Sequence, residues 1–164
     1  NLDKIDEQSN GYFVEKWTNL TDAGETASNT ADGGVNTDYP LFRLADVYLM
    51  IAEAFVRGGS GTTATEVVGY INQSQERAYG DDSNNKNASQ INLSFILDER
   101  ARELYWEGHR RTDLIRYGVF TTNGYLWQWK GGVKEGTAVN SRYNIYPIPT
   151  TELTANPNLY NENY

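Results

Sequence analysis

The sequence predicts a predominantly α fold, with a tetratricopeptide-like helical pair followed by shorter helices and a loop-rich C-terminal lobe. Three observations predict it. Apolar residues recur at helical spacing from Leu41 to Phe55 and again from Ala64 to Tyr79, the period of about 3.6 residues that lets a helix bury one face. A short Gly-rich stretch, Gly58 to Gly61, separates the runs and folds them back on each other as an αα-hairpin. Pro147, Pro149 and Pro157 then exclude a long helix near the C-terminus.

Residues 1–40 are polar, rich in Asn, Thr, Asp and Gly, and read as an irregular lead-in. The Tyr12–Trp17 island suggests a short strand there, and residues 26–37 are expected to be the most mobile part. The hairpin is expected over 41–80. Pro40 sits just inside a helix start after Asp38. Leu41, Leu44, Ala45, Tyr48, Ile51, Ala52 and Phe55 form the expected stripe, while Phe42, Leu49 and Val56 call for cover on most other faces. Gly58 and Gly59 end this helix.

Thr63 and Glu66 have the spacing of a capping box that opens the second helix. Its expected buried stripe is Ala64, Val67, Val68, Ile71, Ala78 and Tyr79, with Gly80 as terminator. One such pair cannot bury both of its faces, so it expects neighbours, not all of them within this chain. After a polar loop over 81–93, Ser94 is expected to cap a helical segment spanning 94–118. It runs from Phe95 to about Glu107, bends at Gly108 and reaches about Tyr117 before Gly118. The remaining 119–164 form an irregular lobe, anchored by Trp127, Trp129 and Tyr146-Pro147-Ile148-Pro149.

Charge and composition exclude several functions. The 14 basic and 22 acidic residues give a net charge of −8, which repels nucleic-acid phosphates and anionic membrane surfaces but not neutral sugars. There is no cysteine, so disulfides and thiolate chemistry are excluded. No apolar run approaches the ~18 residues of a membrane helix. The chain begins at Asn1 with neither Met nor a signal-like h-region, and so reads as a fragment or processed form.

No catalytic site, metal site or cofactor is expected. Glu99, Glu103 and Glu107 lie one turn apart on one helix face, interleaved with Arg100 and Arg102. A glycosidase pair instead flanks its substrate across about 5–10 Å. Interleaved arginines also hold the acids ionised, so structural ion pairs with Arg100, Arg102 and Arg110 are the stronger reading. His109 is the only histidine, which precludes a histidine-pair metal site. Asp81-Asp82-Ser83-Asn84-Asn85 opens like a calcium loop, but Lys86 and Asn92 stand where Gly and Glu are needed.

Trp127 and Trp129 are the candidate ligand-binding residues. In an extended segment positions i and i+2 face one way, giving two indoles that stack on successive sugar rings. The competing reading makes them anchors that pin the lobe to the helices, and it is the stronger of the two.

Three blocks in order resemble the C-terminal region of the SusD/RagB family. They are Arg43–Met50 with Ala52-Glu53-Ala54; Ile96–Arg100 through Arg102-Glu103-Leu104, then Glu107–Arg110, Asp113-Leu114 and Gly118; and Tyr146–Pro149, Glu152-Leu153 and Asn156–Leu159 with terminal Tyr164. The tail Asn161-Glu162-Asn163-Tyr164 departs from the family's usual Gln-Asn-Pro-Gly-Tyr type. Trp127–Gly132 resembles the starch-binding branch, which makes α-glucan the leading ligand expectation.

The resemblance implies a SusD-like α-superhelix in an outer-membrane lipoprotein at the cell surface, its lipid anchor lying outside this chain. It also implies capture of an oligosaccharide or polysaccharide for a SusC-like TonB-dependent transporter, without catalysis. A tetratricopeptide-like protein-interaction scaffold without sugar binding is the alternative; a glycosidase module is disfavoured by the missing acid pair.

Overall fold

The computed structural model describes residues 16–21, 23–28 and 34–161. Most of the Tyr12–Trp17 island, residues 29–33 of the 26–37 segment and the last part of the tail lie outside them. The chain divides into a unit ending at Arg43 and a unit starting at Leu44.

In the first unit the chain turns back at residues 20–26, where Leu20 and Thr26 form an isolated antiparallel bridge. The Trp17 and Tyr39 rings meet at 5.6 Å. The Thr37 hydroxyl donates to the Thr18 carbonyl at 2.8 Å. Polar side chains thus satisfy a backbone that belongs to neither helix nor sheet.

The second unit is helical. Its α-helices are α1 (Leu44–Val56), α2 (Ala64–Tyr79), α3 (Leu93–Glu103), α4 (Arg110–Arg116) and α5 (Thr150–Ala155). Among the described residues there is no β-strand beyond the isolated bridge.

The α1–α2 hairpin forms as expected and runs antiparallel. Tyr48 stacks on Tyr70 at 4.8 Å and bonds Gln73, while Ile51 and Phe55 lie beside Glu66 and Thr62 nearer the turn. The Thr63–Glu66 capping box closes in both directions. Gly80 ends α2 at φ +81°, a left-handed conformation that glycine adopts without a Cβ penalty.

The buried faces differ from the expected ones. α1 starts at Leu44 rather than Leu41, and it buries Ala45, Leu49 and Ala52 together with Asp46 and Glu53. Leu44, Val47 and Met50 remain exposed. On α2, Val67 and Ile71 are core residues, but Ala64, Ala78 and Tyr79 are exposed while Ser74 and Gln75 are buried. For Asp46, Glu53 and Gln75 the reason is electrostatic: they meet Arg100, Arg116 and Glu99 on α3 and α4, and that pairing offsets their desolvation.

The cap of α3 is Asn92, not Ser94. Its side-chain oxygen accepts from the Phe95 N–H at 3.0 Å. Burial of Ile91 in the core fixes the helix entry two residues earlier than a Ser94 cap allows. The helix ends at Glu103 rather than Glu107, and Gly108 at φ +78° turns the chain into α4. Leu49, Ala52, Val67, Ile71, Ile91 and Ile96 form the core between α1, α2 and α3.

Candidate functional site

The acidic and basic residues of α3 belong to a buried network that ties the helices together. Arg100 gives Nη1 to Asp46 of α1 at 2.7 Å and Nε to Asp113 of α4 at 2.8 Å. Asp113 also accepts from Arg116, which reaches Glu53 of α1 as well. Glu99 accepts from Gln75 of α2 at 2.6 Å and from Arg102 at 2.7 Å. Glu103 takes a two-pronged contact from Arg77 at 2.6 and 2.7 Å.

Burial by itself raises the pKa of Glu53, but its bonds from Arg57 and Arg116 outweigh it and hold the carboxyl below its ordinary value. A carboxylate held ionised in this way is a poor general acid. The ion-pair reading of Arg100 and Arg102 holds: Arg102 pairs with Glu99 of its own helix, and Arg100 with Asp46 and Asp113 of α1 and α4, partners that the sequence did not name. Arg110 does otherwise: it donates to the Leu97 carbonyl at 2.8 Å and covers the Tyr125 ring at 4.6 Å.

The C-terminal lobe holds a cavity of about 760 Å³. Phe120, Trp127, Tyr143 and Tyr146 supply its aromatic walls, with Arg111 and Asn140 between them. The Arg111 guanidinium lies 3.8 Å from the Tyr146 ring centre and donates to the Tyr143 carbonyl at 2.6 Å. The cavity is concave, largely apolar and carries a few polar groups, as small-molecule sites do.

Lys130 organises this lobe. It is buried, and its ammonium donates to the carbonyls of Thr122 at 2.6 Å, Tyr125 at 2.7 Å and Val119 at 3.4 Å. Burial pushes its pKa below the usual lysine value. The same ammonium stands 4.7 Å from the Trp127 ring, whose indole stacks on Phe120 at 6.3 Å. Gly136 then closes the loop: a Cβ there, at φ +80°, would sit 2.4 Å from the Trp127 carbonyl oxygen.

Trp127 and Trp129 are 38% and 41% exposed, so neither is a buried anchor. They do not share the geometry of an extended segment, because Trp129 takes a left-handed backbone at φ +68°. Trp127 lines the cavity; Trp129 is not among its walls. The sequence reading named Tyr146 only as an anchor of the lobe, and missed Phe120, Arg111, Lys130 and Tyr143. A lysine between Trp129 and Gly131 carries no local sign that it will be buried.

Comparison with known proteins places these features in context. The model of the SusD family matches residues 3–164. The chain is 42% identical to the starch-binding protein SusD of Bacteroides thetaiotaomicron over 163 residues, which is 99% of this chain and 28% of that protein. It is 35% identical to SusD-like protein P25 of Formosa agariphila over 149 residues, 89% of this chain and 26% of the relative. A second Formosa agariphila protein, SusD-like protein P38, is 37% identical over 86 residues, 49% of this chain and 17% of its own length. The chain thus spans little more than a quarter of the length of the starch-binding protein SusD and of SusD-like protein P25.

Proposed function

The chain belongs to the SusD family, and from that premise we propose that the protein captures glycans at the cell surface without transforming them. It delivers them to a SusC-type TonB-dependent transporter of the outer membrane. A lipid anchor outside this sequence holds it there. The ligand class is α-glucan. The observation that carries this reading is 42% identity with a starch-binding relative across 99% of the chain.

The chemistry of the site agrees with binding rather than turnover. Asp46, Glu53, Glu99, Glu103 and Asp113 are committed to arginines, while the cavity of the lobe offers aromatic faces. In this reading Trp127, held by Lys130 and Phe120, stacks on a sugar ring inside the cavity. Trp129 contributes a second, separate aromatic surface and not the other half of a platform.

Affinity electrophoresis of the whole protein through an α-glucan gel tests this. The expected result is retardation of the wild type, no release of reducing sugar, and faster migration of Trp127→Ala at an unchanged melting temperature. Unretarded wild type that captures a polypeptide partner would favour the interaction scaffold instead. Release of reducing sugar would make the protein an enzyme and overturn the proposal.

A further inference from the structure

A second cavity of about 630 Å³ opens at the turn between α3 and α4. Leu104, Tyr105, Trp106, Arg102, Arg110 and Arg111 form most of its wall. Trp106 is 61% exposed and its backbone is left-handed at φ +61°. Bulky side chains rarely take that conformation, and such strain persists where the surrounding structure enforces it for a purpose. Tyr105 is 53% exposed and meets the indole edge-on at 6.5 Å. The fold thus holds an indole in a disfavoured backbone conformation and leaves it largely uncovered by the described residues of this chain.

The polar part of the wall is one-sided. Arg102 spends Nε and Nη2 on Glu99, Arg110 spends Nη1 on the Leu97 carbonyl, and Arg111 spends Nη2 on the Tyr143 carbonyl. A guanidinium has about five N–H donors, so each retains donors after these bonds. Among the described residues no Asp or Glu belongs to the wall. A neutral sugar needs acceptors as well as donors, whereas donors without acceptors match an oxyanion. The flanking indole and phenol faces match the ring that carries it.

We propose that this cavity is a second saccharide subsite, one that takes a pyranose bearing an oxyanion, as a uronate carboxylate or a sulfate ester. The saccharide part rests on the glycan-capture reading; the oxyanion part rests on the arginine and aromatic wall.

The test is Trp106→Gly in the whole protein, with Tyr105→Ala as a second variant. Glycine is at ease at positive φ, so Trp106→Gly is expected to melt at the same temperature as the wild type or higher. Calorimetric titration with a uronate-containing oligosaccharide, a sulfated one and a neutral maltooligosaccharide provides the readout. At least one acidic sugar is expected to bind the wild type, more weakly at high salt. Its affinity should fall at least about tenfold in both variants, the equivalent of roughly 1.4 kcal/mol, while binding of the neutral sugar stays unchanged. Unchanged acidic-sugar binding in Trp106→Gly, or a clear drop in its melting temperature, overturns the subsite. A wild type that binds α-glucan but neither acidic sugar overturns the subsite and leaves glycan capture standing. A wild type that binds no saccharide overturns both.

Discussion

Replacing Arg100 by Met tests how the helices are held together. Only 4% of the Arg100 side chain is exposed, against 6% for Asp46 and 4% for Asp113. Burial alone disfavours the guanidinium charge, but bonds to Asp113 and Asp46 outweigh it and raise the pKa further, so the group is charged at every working pH. Methionine fills much of the volume and removes the charge. Asp113 keeps Arg116 at 2.8 Å; Asp46 keeps no cation among the described residues. The expected cost is that of stranding one buried carboxylate, roughly 3–5 kcal/mol, a large part of a stability of about 5–15 kcal/mol. Urea denaturation at neutral pH reads it as a lower midpoint with an unchanged slope. Adding Asp46→Asn should restore most of the loss. A variant within about 0.5 kcal/mol of the wild type at neutral pH, the range of ordinary surface changes, would refute the structural role of the network.

Further expectations follow from single contacts. Thr63→Ala removes the acceptor of the Glu66 N–H and half of the capping box, and should cost about 1 kcal/mol in thermal or urea melts. Glu53 has a folded-state pKa below its ordinary 4.5, so its stabilisation is present above that value and lost as pH falls through the folded pKa. Melting temperature should therefore fall below roughly pH 4.5, and less steeply in Glu53→Gln when each is referred to its own neutral-pH value. Lys130→Met strands the carbonyls of Thr122 and Tyr125. It should destabilise the lobe by roughly 1–3 kcal/mol for each carbonyl that water does not reach, seen as faster amide exchange over 119–137.

What the sequence revealed was local. Thr63 with Glu66, and Gly80 at the far end of α2, are signals whose physics is complete within one helical turn, and the structure carries both. The cap of α3 was harder, because Asn92 and Ser94 are both good caps and the choice depends on Ile91 entering a core made by other helices. The buried face of α1 was misjudged for a related reason. Asp46 and Glu53 are polar by any scale; Arg100, at a separation of 54 residues, makes the burial of Asp46 tolerable, and Glu53 meets Arg116, at 63, besides its local partner Arg57. The cavity of the lobe was legible in Trp127 alone. Its other walls, from Arg111 to Tyr146, meet through loop closure around a buried lysine, which no periodicity announces.

The most direct measurement of the central claim is calorimetric titration of the whole protein with a maltooligosaccharide, followed by analysis of the recovered sugar. Glycan capture predicts saturable heat with one stoichiometry, loss of that heat in Trp127→Ala at an unchanged melting temperature, and sugar recovered at its original length. Absence of heat with every α-glucan tested, or recovery of shortened chains, would contradict it.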